Sequence, residues 1–374
     1  GLQRFDIEGH LERPKPLQVI YRMTHQTRIG IEDRVKQFSQ NFLTAQQEVK
    51  KRIIGQDRIV ENVLISLFAD GHVLLEGVPG LGKTKLVQTL SQILGLSFKR
   101  IQFTPDMMPS DITGTMLLVE DSKPGRNVQQ DPDSVASVPN LSRNRFQFQR
   151  GPIFSQIVLA DEINRATPRT QSALLEAMQE RTVSISTVSH PLACPFCVLA
   201  TQNPLDMDGT YKLPEAQLDR FLFKLLIDFP DGSELLQIMH QTTATQEADL
   251  HQILSADQIL AMQQLVRQVQ VSDPVAKHII RIVQATHPNR LGSHDLANQY
   301  VELGVSVRGM QSITLAAKVH ALLGSRLNID FEDVGQVVLP ALRHRLLLNF
   351  EAQGENITTD TIIQEILASK DIER

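Results

Sequence analysis

Gly77-Val78-Pro79-Gly80-Leu81-Gly82-Lys83-Thr84 sets glycines, a lysine and a hydroxyl at the spacing G-x-x-x-x-G-K-T, which suits a loop that cradles phosphates. Glycine lets successive backbone N–H groups turn inward on an anion, and a helix opening at the end of the loop directs its positive end at the same anion. In that chemistry Lys83 reaches the β- and γ-phosphates of a nucleotide, and the Thr84 hydroxyl holds Mg²⁺. A pattern this short arises by chance, so its flanks have to support it. His72 to Glu76 is an apolar run of strand length, Lys85 to Leu94 places its apolar residues on one helical face, and Gly95 ends that helix. Strand, loop and helix are therefore all expected. The candidate nucleotide contacts are Gly77, Pro79, Gly80, Leu81, Gly82, Lys83, Thr84 and, in the following helix, Leu86.

A second constellation is Ile157-Val158-Leu159-Ala160-Asp161-Glu162, a hydrophobic strand ending in two adjacent carboxylates. In an open α/β sheet such a strand delivers its acids to the carboxyl edge, beside the phosphate loop. Asp161 would bind Mg²⁺ through water, and Glu162 would polarise an attacking water as a general base. Alone, two acids after a strand read as a solvated turn; with the loop at Gly77–Thr84 they read as the hydrolytic half of a triphosphatase.

The elements that must position these groups follow from the whole chain. Its 374 residues suffice for two or three domains, and 41% hydrophobic with 21% charged residues describes an ordinary globular protein. A net charge of −5 argues against a dominant nucleic-acid or anionic-membrane footprint. No apolar run approaches the ~20 residues that cross a bilayer, and two cysteines build no disulfide framework; a cytoplasmic protein is the expectation. Residues 1–29 read as an arm, and 30–230 as an αβα core. The core starts with an interrupted helical stretch from Ile31 to Ile53. A strand is expected at Phe98–Phe103, a two-proline loop at Thr104–Gly114 and a polar, mobile insertion at 120–145. Further on come a helix at Thr170–Met178, one arm of a hairpin at Val183–Ser186, and strands at Val198–Thr201 and Leu225–Ile227. After about residue 230 only helices are signalled, with caps at Ser255, Asp273, Ser306 and Asp330 and a last start at Thr359. The fold class is α/β: a doubly wound parallel αβα phosphate-loop domain followed by a smaller all-helical lid, residues 231–374.

With these segments in view the chain resembles an AAA+ ATPase, and within that superfamily the MoxR family. The resemblance rests on Phe103-Thr104-Pro105-Asp106 through Gly114, Gly151-Pro152-Ile153-Phe154, Ala160-Asp161-Glu162-Ile163-Asn164-Arg165-Ala166, Gln171 to Glu180, Ala200-Thr201-Gln202-Asn203-Pro204, and Leu213 to Phe221. It implies roles that spacing does not give. Asn203 resembles the sensor-1 residue that orients the lytic water, and Arg220 the arginine finger that reaches a neighbouring subunit's γ-phosphate. Arg308, in Ser306-Val307-Arg308-Gly309, resembles sensor 2, with its side of the interface open. Ile54 and Gly55 resemble the segment whose backbone contacts adenine. The resemblance further implies ATP and Mg²⁺ as ligands, a hexameric ring, and coupling of hydrolysis to remodelling, assembly or maturation of a client protein beside a partner with a von Willebrand factor A domain. The hairpin near Thr182–Pro191 would be the pre-sensor insertion, and Thr104–Leu118 a second one facing the ring pore. A nucleic-acid motor and a slow ATP-dependent binding switch are the rival readings.

Cys194-Pro195-Phe196-Cys197 invites a zinc or redox reading. Zinc wants about four ligands and no further cysteine exists, while redox pairs of this kind sit at a helix N-terminus. A structural role at the start of a strand is the expectation.

Overall fold

The computed structural model describes residues 30–120, 144–185, 188–203, 210–243 and 248–369. The arm at 1–29 and most of the expected insertion at 120–145 lie outside these. Five strands, β1 (Val73–Glu76), β2 (Phe98–Gln102), β5 (Ile157–Asp161), β8 (Cys197–Gln202) and β9 (Phe223–Leu226), form an all-parallel sheet in the order β2-β5-β8-β1-β9. Between them fall two antiparallel hairpins, β3 (Gly114–Glu120) with β4 (Asn144–Arg150) and β6 (Thr182–Ile185) with β7 (Val188–Pro191).

Side chains alternate across each strand, so a strand buried on both faces reads as a continuous apolar run. Val73, Leu75, Ile157, Leu159 and Leu199 join one core cluster, while Leu74, Val158, Ala160, Val198 and Ala200 join another on the opposite face. Helices α2 (Asp57–Phe68) and α3 (Lys83–Ile93) cover the first face; α4 (Pro109–Thr113) and α5 (Pro168–Glu180) cover the second. The sheet is doubly wound, and the switch in winding puts the loop and the acidic pair at one edge.

After the short α6 (Glu215–Leu218), β9 and α7 (Gly232–Thr243), the lid comprises α8 (Ala256–Gln268), α9 (Asp273–Ala285), α10 (Asp295–Tyr300), α11 (Val307–Leu323), α12 (Phe331–Leu342), α13 (Phe350–Gly354) and α14 (Thr359–Ala368). One hydrogen-bonded pair, β10 (Val301–Leu303) with β11 (Leu347–Leu348), lies among them. The expected caps at Ser255, Ser306 and Asp330 are made, whereas in α9 Asp273 is the first helical residue and Ser272 holds the N-cap position without a side-chain hydrogen bond.

Two further expectations need correction. Helix α1 (Ile31–Lys50) is unbroken, because buried Ala45 fills the gap in the stripe Val35, Phe38, Phe42, Val49. The two-proline loop also contains α4: Pro109 sits in its first turn, where no N–H is needed, and the Asp111 carboxylate accepts from Met108 N at 2.8 Å. Helix α1 packs with the lid, its Ser39 hydroxyl donating to Leu323 O at 2.9 Å, so ATPase core and lid share the first hydrophobic cluster.

His72, just before β1, is buried between Val198 N, which donates to its Nδ1 at 3.0 Å, and Met178 O, 3.2 Å from its Nε2. Burial holds it neutral and lowers its pKa from 6.5 to about 3, with Arg181 nearby acting in the same direction. The unfolded chain therefore binds the extra proton between these values, so the stability associated with this histidine is complete above pH 6.5 and declines as pH falls. At pH 5.5 the loss is about 1.4 kcal/mol. Urea titrations at pH 7.5 and 5.5 are expected to show His72→Gln losing less stability between the two than wild type; equal losses would contradict the neutral buried state.

Candidate nucleotide site and a cleft of arginines

The loop leaves β1 at Gly77, where a Cβ would stand 2.9 Å from Ile227 O. Gly80 and Gly82 have φ of +87° and +75°, a region that side chains rarely adopt, with no atom within 4 Å of a built Cβ. The requirement there is conformational and the cradle is open. Gly82 caps α3, which begins at Lys83. The Lys83 ammonium donates to Gly77 O at 2.5 Å. Half-burial lowers its pKa, against the opposing pull of Asp161, Glu162 and Glu76. Thr84 is half-buried in the first turn, and the Leu86 side chain packs into the core beneath the loop. Gly55, φ +72°, lies so close to α7 that a Cβ would stand 2.4 Å from Glu234 Cδ. It follows the half-buried Ile54. The next residue, Gln56, donates through Nε2 to Leu81 O at 2.8 Å, tying this segment to the phosphate loop.

Asp161 ends β5 and Glu162 follows it in a left-handed conformation, φ +57°. The Thr201 hydroxyl on β8 donates to Asp161 Oδ1 at 2.6 Å and accepts from Glu162 N at 2.8 Å. Asp161 Oδ2 accepts from Arg100 Nε at 3.0 Å and Nη2 at 2.6 Å. Glu162 Oε2 accepts from Gln102 Nε2 at 2.9 Å and Arg165 Nη1 at 3.0 Å. Both carboxylates are thus aimed by neighbours that sequence reasoning passed over. The available signal was the spacing of Arg100 and Gln102, two apart on β2 and so on one face of it, in the strand paired with β5. Asn203 follows β8 and is 9% exposed, one residue beyond Gln202, whose carbonyl accepts from Gly77 N.

Arg220 and Arg308 lie elsewhere. Both line an open cleft of about 480 Å³ whose wall includes Asp70, Gly71 and His72, the residues that lead into β1. The loop leaves the other end of that strand, five residues from His72 to Gly77 and roughly 16 Å away at the usual strand rise. The structure therefore places Arg220 with Arg308, and neither with the phosphate loop.

A buried ion pair fixes that arrangement. Arg345 donates through Nε to Asp219 Oδ1 at 2.7 Å, through Nη2 to Asp219 O, Phe221 O and Ser312 Oγ, and through Nη1 to Leu222 O and Ala341 O. Ser306 Oγ also donates to Asp219, at 2.8 and 2.9 Å. Asp219 thus clamps the start of α11 and so places Arg308. Arg345 was missed by sequence reasoning. Its one mark is a charged trio, Arg343-His344-Arg345, between apolar runs.

Cys197 opens β8, buried, with its thiol donating to Gly71 O at 3.4 Å and burial pushing its pKa up to about 12. Cys194 is exposed. Among the described residues no group of three His, Cys, Asp or Glu could by itself hold a metal.

Known proteins carry the same architecture. A family model described as "ATPase family associated with various cellular activities (AAA)" matches residues 72–223, and an "AAA lid domain" model matches 294–366. The chain is 40% identical to Chaperone MoxR1 of Mycobacterium tuberculosis over 321 residues, covering 86% of this chain and 79% of that one. The chain belongs to the MoxR family of AAA+ ATPases. It is also 39% identical to YeaC of Bacillus subtilis, over 87% of this chain and 92% of that one. A solved structure described as an ATPase from Cytophaga hutchinsonii superposes with a TM-score of 0.79 at 36% identity, covering 90% of this chain and 96% of that one. The α/β fold with a helical lid is that of an AAA+ chaperone-like ATPase. No helix among the described residues is long and apolar enough to cross a membrane.

Two outcomes follow from this geometry. Arg345→Ala strands the Asp219 carboxylate and is expected to cost about 3–5 kcal/mol of stability, the range for breaking a buried pair; an unchanged thermal midpoint would show the pair to be dispensable. With an aromatic disulfide reagent, native protein should titrate one thiol promptly, Cys194, and Cys197 only on unfolding. Two fast thiols would place Cys197 at the surface.

Proposed function

We propose that this MoxR-family ATPase hydrolyses ATP at a site completed by the next copy of the chain, and uses the cycle to remodel or assemble a client protein. The observation that carries the proposal is the position of Arg220 and Arg308, together at the opposite end of β1 from the loop that would hold the phosphates. A chain cannot bring both ends of one strand to one phosphate. A head-to-tail copy can, and a repeated head-to-tail contact that closes gives a ring, here a hexamer by family resemblance. Arg308 thereby acts in trans, on the same side as Arg220.

Within one chain, Lys83 and the N–H groups of Gly80 to Thr84 would hold the β- and γ-phosphates, with Ile54 and Gly55 beside the base. The residues fit a magnesium ion: Asp161 and the Thr84 hydroxyl are oxygen donors beside an open anion cradle, and Mg²⁺ with substrate phosphates needs no all-protein cage. When bound, that ion would neutralise charge developing on the transferred phosphoryl group. Glu162, held by Gln102 and Arg165, would accept the proton of the attacking water, and Asn203 would orient that water. Arg220 and Arg308 of the neighbour would stabilise the transition state, where one such arginine is worth about 10³–10⁵ in rate. A client rests on family resemblance, supported by the relative whose name is Chaperone MoxR1; a partner with a von Willebrand factor A domain rests on family resemblance alone.

The test uses three variants. Lys83→Ala should lose ATP binding, because the point charge on the phosphates is gone. Glu162→Gln should bind ATP and hydrolyse it about 10²-fold or more slowly. Arg220→Ala should bind ATP yet barely turn it over, and mixing it with Lys83→Ala should restore activity at interfaces that join an intact loop to an intact arginine. Co-assembly without recovered turnover would refute the shared site.

A further inference from the structure

The cleft holds more positive charge than the two recognised arginines supply. Arg267, on the exposed face of α8, lines it too, from a lid helix other than the α11 that carries Arg308. The carboxylates of the cleft are already committed, Asp70 to Arg181 at 3.0 Å and Asp219 to Arg345 at 2.7 Å. Arg220, Arg267 and Arg308 have no ion pair among the described residues, and Arg220 Nε is buried without a hydrogen-bond acceptor. Three arginines without a carboxylate partner that line one open space, from the turn after α6 and from α8 and α11, place like charges near one another. Such a cluster is stabilised by an anion of matching charge that offers several oxygens in a compact volume, which is the geometry of a phosphate chain.

We propose that Arg267 is a third trans arginine, gripping the phosphate chain held by the neighbouring subunit's loop alongside Arg220 and Arg308. The assignment rests on the shared-site reading above and adds a residue to it. Each of the three arginines comes from a different helix or its flank, so the full set converges only while the lid keeps its place against Asp219 and Arg345. Rate would thereby depend on the lid's position as well as on the finger itself.

The experiment compares Arg267→Ala with Arg220→Ala in the full-length chain. Arg267→Ala should bind ATP with unchanged affinity and a wild-type melting midpoint, while its kcat falls about tenfold to a hundredfold, the weight of one charge-assisted contact. Arg267→Lys should recover only part of the loss, since an ammonium cannot bridge two oxygens as a guanidinium does. Mixed with Lys83→Ala, the Arg267→Ala chain should regain turnover. A second readout is the population of assembled rings in ADP with aluminium fluoride, which Arg267→Ala should lower. Wild-type kcat in Arg267→Ala while Arg220→Ala is inactive and rescued by mixing would overturn the Arg267 assignment and leave the shared site standing. So would an inactive Arg267→Ala that mixing does not rescue while Arg220→Ala is rescued, since the residue would then act within its own chain. If neither variant is rescued in verified mixed rings, the shared-site reading fails and takes this assignment with it. Should Arg267→Ala melt early, Arg267→Gln carries the same comparison.

Discussion

A guanidinium that is 2% exposed survives in a protein interior only if every N–H finds an acceptor, because an unpaired buried charge costs several kcal/mol. Arg345 meets that condition with the carboxylate and carbonyl of Asp219, three further carbonyls and one hydroxyl. These acceptors belong to the chain entering β9, to α11 and to α12, so satisfying one side chain fixes three elements at once. Few other placements of the lid would supply the same set. The same carboxylate takes the Ser306 hydroxyl at the cap of α11. The lid's orientation, and with it the direction in which Arg308 faces, follows from one buried ion pair more than from any lid helix taken singly.

Given that orientation, the direction of β1 divides the chemistry. Every strand of the sheet runs the same way, so the loop and both carboxylates gather at one edge, and whatever precedes the strands gathers at the other. The segment before β9 and the end of α5 arrive at that second edge, bringing Arg220 and Arg181 to it. A parallel sheet thus separates the phosphate cradle from the arginines by the length of a strand. Association of copies is then a requirement of the proposed mechanism and follows from the topology.

How much of this could be read from the residues depended on whether the signal was local. The strand, loop and helix around Gly77–Thr84 were legible because glycine spacing, apolar run length and helical periodicity all report on neighbours in sequence. The lid caps at Ser255, Ser306 and Asp330 were legible for the same reason. Helix α1 was misread as interrupted because alanine at position 45 carries little hydrophobic signal though it completes the buried stripe. Helix α4 was hidden because Pro109 reads as a loop residue unless its place in a first turn is known. Arg345 carried only the mark of a charged trio, and Arg100 and Gln102 only their spacing on one face of β2. Their partners lie 126, 61 and 60 residues away, and no pattern along the chain names a partner at such a distance. Arg308 could be named from its motif, yet its side of the molecule depended on that same distant ion pair.

The charge pairing at the two ends of β1 carries the last consequence. At the loop end three acids have a cation from their own chain: Glu76 with Lys224 at 2.9 Å, Asp161 with Arg100 at 2.6 Å, Glu162 with Arg165 at 3.0 Å, while Lys83 donates to a carbonyl. At the arginine end Asp70 and Asp219 are matched by Arg181 and Arg345, and Arg220, Arg267 and Arg308 line the cleft with no ion pair among the described residues. In the proposed ring Lys83 and these arginines meet across the triphosphate. On this account nucleotide is a structural part of the contact between subunits as well as its substrate: release of the cleaved γ-phosphate leaves the same cations facing less negative charge, so the contact weakens when phosphate departs. In the proposed ring that change in contact energy would couple chemistry at one end of β1 to the position of a neighbouring lid.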